Sequence, residues 1–192
     1  EKHQITMDDI VFKIGPRINA AGRMESGKMA VDLLISRTDD AALQIGHTIN
    51  DHNDDRKNID RKITQEALAM VKNMPGLDQK KSIVLYNPKW HKGVVGIVAS
   101  RLVENFYRPT IVLTKSNGSI TGSARSIAGF DLYEAIESCS DLLENFGGHM
   151  YAAGLTMGEH HLEEFDRRFE ALASESITED MLKPQVSIDT YL

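Results

Sequence analysis

Apolar positions recur along this chain at two different spacings, and the change of spacing divides it. The opening segment carries Ile10, Val11, Phe12 and Ile14, then Gly15-Pro16. Proline suits the first turn of a helix, so Arg17 to Gly22 is expected as a short helix with Gly22 at its end. Lys28 to Ser36 reads as a second, with Met29, Leu33 and Leu34 on one side. Thr38-Asp39-Asp40 supplies a capping hydroxyl and first-turn acids for a third. No break follows until Pro75-Gly76, and Gly46 is the one glycine inside. Ile45, Ile49, His52, Arg56, Ile59, Ile63, Ala67 and Met70 keep a three-or-four spacing through it. Roughly 35 residues at about 1.5 Å each make a helix of about 50 Å, more than a small domain needs. Its middle, Asn50 to Asp60, is polar on every side, which predicts a solvated connector whose far end packs on something outside this sequence.

Beyond Pro75 the pattern shortens. Ser82–Tyr86, Pro109–Leu113 and Ser119–Arg125 are strand-like, the last two joined by the hairpin signal Asn117-Gly118. His91-Lys92-Gly93 is expected to open a largely buried helix running to Phe106, with Gly93 and Gly96 letting its first turn lie close to a sheet. A helix from Asp131 carries Leu132, Ile136, Leu142 and Leu143. Gly147-Gly148-His149 and a strand to Thr156 follow, and then a helix from His160 to Leu172. Val186, Ile188 and Thr190 alternate like the start of another strand. The expected fold class is α/β. Short helices (1–37) and one long connector helix (38–76) precede a small mixed-sheet domain (77–176), and a further domain begins at 184–192.

The 192 residues, 41% hydrophobic and 26% charged, have the composition of a globular protein with its own core. No apolar run approaches the roughly 18 residues of a membrane span. There is no signal-peptide pattern, and the first residue is Glu1, as expected of a piece of a longer polypeptide. Cys139 is the one cysteine, expected as a packing residue in a reducing, cytoplasmic setting. A net charge of −6 argues against a polyanionic partner until its distribution is read. Residues 79–130 hold eight Lys or Arg and a single acid, Glu104, whereas 131–192 hold fourteen acids against three bases. A local positive face therefore stays open as an expectation, beside that of an ordinary mixed surface.

Four stretches carry candidate chemistry. Phe146-Gly-Gly-His-Met-Tyr-Ala-Ala-Gly154 sets paired glycines before His149, suited either to close approach to a phosphate or to a plain turn between a helix and a strand. In Gly15–Arg23, Arg17 and Arg23 offer a fork for phosphate oxygens or bonds to loop carbonyls. His91-Lys92 stands at a helix start, where backbone N–H groups favour anions. Gly122-Ser-Ala-Arg-Ser126 ends a strand with a hydroxyl and a guanidinium, Ser123 and Arg125. Asp51-His52-Asn53-Asp54-Asp55 is rich in ligand atoms, but consecutive helical residues diverge, so a solvated face is expected there and at His160-His161.

Taken in order, with Asn53 and Arg56 on the long helix, these stretches resemble the RecJ-type exonucleases of the DHH phosphoesterase superfamily over about Ile10 to Leu172. The resemblance implies an enzyme that degrades single-stranded DNA with a 5′ phosphate from that end, using Mn2+ or Mg2+. The metals belong to an Asp-His-His domain that this sequence lacks, so no catalytic or metal-binding residue and no cofactor is expected here. It implies that Ser123 and Arg125 contact the end phosphate and that Gly147, Gly148 and His149 line the substrate cleft. Arg17 or Arg23 adds to the phosphate pocket, His91 is a further candidate, and 184–192 begins an oligonucleotide-binding barrel. Aromatic content of 6% offers no long stacking platform, so contact with the strand's backbone should dominate. Two rivals remain: a superfamily phosphodiesterase for short oligonucleotides or cyclic dinucleotides, and a protein-interaction module built on the acidic C-terminal helix and the connector.

Overall fold

Thr6 starts the helical part of the chain. Its Oγ1 accepts from the Asp9 amide at 3.3 Å, and its own amide donates to Asp9 Oδ2 at 3.0 Å, a reciprocal cap. The structure, a computed structural model, describes residues 4–185, 188 and 190. Helix α1 (Met7–Asp9) passes through a π turn (Ile10–Ile14) into α2 (Gly15–Met24) with the backbone helical throughout. The expected helix Arg17–Gly22 is thus longer at both ends. Pro16 is tolerated because it stands in the first turn of α2, and Gly22 lies inside the helix. Helix α3 (Lys28–Leu34) and the long α4 (Asp39–Lys72) follow.

The chain divides into two compact units, one ending at Lys62 and the other beginning at Ile63, so the boundary falls inside α4. The first unit is centred on Ala21, Ala30 and Ile49, with Ile18, Met29, Leu33 and Ile45 around them. Arg17 Nε donates to Asn50 Oδ1 at 2.5 Å and ties α2 to α4. The middle of α4 departs from the expected polar surround. Asp51, Asp54 and Asp55 are exposed, but Asn53 and Asp60 are buried, each 3% accessible. Asn53 Oδ1 accepts from Arg56 Nη2 at 3.1 Å, and such bonding is what lets a polar side chain leave water.

The second unit is a five-stranded sheet in the order β1-β2-β3-β5-β4. Strands β1 (Ile83–Tyr86) and β2 (Thr110–Ser116) are parallel, and helix α5 (Val95–Phe106) makes the crossover between them. Strand β3 (Ser119–Arg125) returns antiparallel through Asn117-Gly118, both at positive φ (52° and 90°), as a two-residue hairpin demands. Helix α6 (Leu132–Glu137) leads to strands β4 (Asn145–His149) and β5 (Ala152–Met157), and α7 (Leu162–Ser176) follows.

Alternation along the strands separates the two faces. Ile111, Leu113, Ile120, Ala124, Ala153, Leu155 and Met157 join Leu132, Ile136, Phe165, Phe169 and Ala173 in one core. The Phe165 and Phe169 rings stack there at 5.9 Å. Cys139 is fully buried in the same core, and burial pushes its thiol pKa up, as suits a packing residue. Helix α5 packs on β2 and β3, with Val94, Val95, Val98, Ala99 and Leu102 buried. Glu170 of α7 clamps the start of β1: its carboxylate accepts from the Lys81 amide (2.8 Å), the Ser82 amide (3.0 Å) and Ser82 Oγ (2.5 Å).

Several boundaries differ from the sequence reading, four of them in ways that bear on the site or its supports. Helix α5 starts at Val95, and His91 to Gly93 lie in the turns before it. Helix α6 stops at Glu137, and Leu142 belongs to a separate 3-10 turn (Ser140–Leu142). Gly147-Gly148-His149 is the end of an edge strand rather than a turn ahead of one. Helix α7 begins only after a 3-10 turn (Glu159–His161). The strand expected over Val186, Ile188 and Thr190, and with it the start of a barrel at 184–192, lies for the most part outside the described residues.

A Cβ on Gly122 would lie 2.3 Å from Val112 O and 3.0 Å from Leu113 Cα, both backbone atoms of the neighbouring strand. Gly122→Ala should therefore destabilise the protein by about 1–3 kcal/mol or more, read as a lower urea midpoint at unchanged slope. A second expectation concerns Glu164, whose carboxyl is held down to about 2 from its ordinary 4.5 by hydrogen bonds from Arg167 and Arg168. A folded pKa below the unfolded one means that any stability it adds is present above about pH 4.5 and fades toward pH 2. An NMR titration should find Glu164 ionised well below pH 4. The pair is solvent-screened, so Glu164→Gln should leave stability at neutral pH nearly unchanged.

Candidate nucleic-acid interface

Strand β3 reads Ser-Ile-Thr-Gly-Ser-Ala-Arg. Alternate residues share a face, so Ser119, Thr121, Ser123 and Arg125 point away from the core that takes Ile120 and Ala124. Pairing carries this face outward. Ser123 stands opposite Gly154, which stands opposite Gly147. Arg125 stands opposite Ala152, which stands opposite His149. Thr121, Thr156 and Asn145 form a third row. Directly paired residues lie on the same side of a sheet. The fold thus gathers Ser123, Arg125, Gly147 and His149 on one face of three adjacent strands.

The two glycines before His149 do different things. Gly148 sits at φ 153°, and a Cβ there would fall 2.3 Å from Ala152 O, so the edge strand demands glycine at that position. A Cβ on Gly147 would meet nothing within 4 Å. Gly147 and Gly154 floor a groove of about 360 Å3 whose rim includes Thr121, Asn145 and Thr156. These three rim residues escaped the sequence reading. Thr121 was legible from the alternation of β3, but Asn145 and Thr156 join it only through strand pairing.

Arg125 is half-buried and oriented by its own strand. Its Nη1 donates to Ser123 Oγ at 2.8 Å and to Ala124 O at 2.7 Å. The first turn of α5 rests on this pair through Gly96. That confirms the close helix-to-sheet approach expected of Gly96. His149 is exposed at the end of β4; its Nδ1 accepts from the Tyr151 amide at 3.3 Å, and its ring meets Tyr151 edge-on at 6.3 Å. His91 stands in the turn ahead of α5 with Nδ1 accepting from the Gly93 amide at 3.1 Å.

Arg17 and Arg23 belong to the first unit, both exposed on α2. Arg17 is engaged by protein acceptors, with Nη1 donating to Lys13 O at 2.7 Å besides its bond to Asn50. Two lysines of the basic block 79–130 meet acids of the block that follows it. Lys115 reaches Glu159 at 2.8 Å, which raises the Lys115 pKa, and Lys80 lies 3.8 Å from Asp166. Arg108 bonds the carbonyls of Lys80 and Phe106. Among the described residues, no group of three or more His, Cys, Asp or Glu is placed to hold a metal ion, and no helix is long and apolar enough to cross a membrane.

Residues 79–175 match the DHHA1 domain. The chain is 41% identical over 184 residues to the single-stranded-DNA-specific exonuclease RecJ of Bacillus subtilis (strain 168), covering 95% of this chain and 23% of that protein. Among solved structures, RecJ from Thermus thermophilus in complex with Mg2+ aligns with a TM-score of 0.78 and 35% identity, over 87% of this chain and 26% of that one. An exonuclease RecJ bound to manganese aligns with a TM-score of 0.76 and 33% identity, over 86% of this chain and 41% of that one. The chain therefore spans less than half of each of these relatives. The DHHA1 match takes in the sheet and its helices, and the RecJ likeness runs on through the helices before them, so this chain belongs to the DHHA1-domain family as a RecJ-type member.

Proposed function

We propose that this chain is the substrate-holding portion of a metal-dependent exonuclease that shortens single-stranded DNA from a 5′-phosphorylated end. The observation that carries the reading is the Ser123–Arg125 pair. A hydroxyl and a guanidinium leave the same face of one strand, already bonded to each other and with the start of α5 beside them. A phosphate oxygen accepts well from such a fork, and the first turn of a helix adds N–H groups without intrahelical partners. In this reading Gly147 and His149 border the path of the strand, and Gly148 holds the edge strand that presents them. Arg17 or Arg23, and more weakly His91, are the further candidates for phosphate contact, and α4 is the proposed connector to the catalytic portion. Contact is with phosphate and sugar, which position the strand without reading its bases.

The related RecJ structures are complexes with Mg2+ and with manganese. The described residues of this chain do not fit such an ion, since no carboxylate and imidazole set converges. In this reading the chain's own described residues take no part in holding the ion. What this chain's own groups do is bind the terminal phosphate, orient it and offset its charge.

An NMR titration with a short single strand, with and without a 5′ phosphate, tests the proposal. Shifts should centre on Ser123, Arg125, Gly147 and His149 and should need the phosphate. Arg125→Ala should weaken the phosphate-dependent part on the order of tenfold, the scale of one charge-assisted hydrogen bond. Equal response to both strands, or tighter binding of dinucleotides than of longer strands, would count against it. In addition, this chain supplied with Mn2+ should release no nucleotides from single-stranded DNA; metal-dependent release would show that the metal site lies within it.

A further inference from the structure

Gly96 is the residue of α5 that meets the Ser123–Arg125 pair. A Cβ there would lie 3.0 Å from Arg125 Nη2 and 3.1 Å from Ser123 Oγ, closer than side chains ordinarily approach. Its torsions do not call for glycine, because it sits in a regular α-helix rather than at positive φ. Helical propensity argues against glycine, which is less stable than alanine inside a helix. Its neighbours on the buried side, Val95, Val98, Ala99 and Leu102, all carry side chains. The three atoms nearest to a side-chain carbon at position 96 all belong to the polar pair beneath it.

The two partners differ in how far they can yield. Ser123 is pinned in β3, which pairs on both sides, with β2 through Val112 and with β5 through Gly154. The Arg125 guanidinium is the far end of a flexible side chain, tethered at Nη1 by Ser123 Oγ and Ala124 O. A methyl group at position 96 would therefore move the guanidinium and leave the sheet in place. We infer that Gly96 is a positioning residue: by lacking a side chain, it lets the first turn of α5 close over Arg125 and hold the guanidinium where a terminal phosphate is bound. The inference rests on the phosphate-end reading above, and its test is built to fail separately.

The measurement compares the affinity of this chain for a 5′-phosphorylated and a 5′-hydroxyl single strand by NMR, in the parent and in Gly96→Ala, Arg125→Ala, Arg125→Lys and Gly96→Ala/Arg125→Lys. Gly96→Ala should keep its melting transition and its affinity for the hydroxyl strand, lose about tenfold for the phosphorylated strand, and shift the Arg125 Nε–Hε resonance before any DNA is added. Lysine has no planar fork to collide with a methyl group, so Gly96→Ala should cost nothing further in the Arg125→Lys background. If Gly96→Ala proves unstable, Arg125→Lys should restore its melting transition; failure to do so would overturn the inference. Full phosphate-dependent affinity in Gly96→Ala, with a loss in Arg125→Ala, would overturn it and leave the phosphate-end reading standing. No loss in Arg125→Ala would overturn that reading, and this inference with it.

Discussion

The hydrogen-bond ladder through β3 decides where every group on the candidate interface stands. Side chains alternate with a period of two, so β3 sends Ile120 and Ala124 into the core only while Ser123 and Arg125 go to the other side. A slip of one residue would bury the arginine and expose the core. Gly122 locks this register from the opposite direction, because its bare Cα lies against the backbone of Val112 and Leu113. The same ladder, carried through β5 to β4, sets Gly147 level with Ser123 and His149 level with Arg125.

Around that ladder the charges are arranged by packing rather than by their order in the chain. The basic middle block and the acidic block after it look like separate surfaces when written out. Folding brings them together, because α7 lies on the sheet that the basic block builds. Lys80 then finds Asp166, Lys115 finds Glu159, and the Glu170 carboxylate takes the amides at the start of β1. Exposed pairs of this kind add little stability. Their consequence is electrostatic: the charges of Lys80 and Lys115 are offset by acids distant in the chain.

The chemistry available to the described residues is lopsided. They hold oriented donors and no convergent ligand set. The DHHA1 match and the RecJ likeness cover a chain that spans only a part of its relatives' length.

Strong local signals were legible in the sequence. The hairpin at Asn117-Gly118, the limits of β3, the end of α5 at Phe106 and the unbroken run of α4 all follow from turn chemistry and periodicity, which act over a few residues. The candidate pair Ser123 and Arg125 was legible too, because two residues on one strand keep their relation in any fold that contains the strand. What lay beyond reach was set by partners distant in the chain. Gly147-Gly148-His149 looks like a turn until β5 pairs with it and makes it an edge strand. Asn53 and Asp60 look solvated until packing takes one side of α4 out of water. Gly96 announced a close approach, but only the placement of α5 over β3 showed that it approaches a guanidinium. Local propensity cannot carry such information, because burial and pairing are properties of two segments at once.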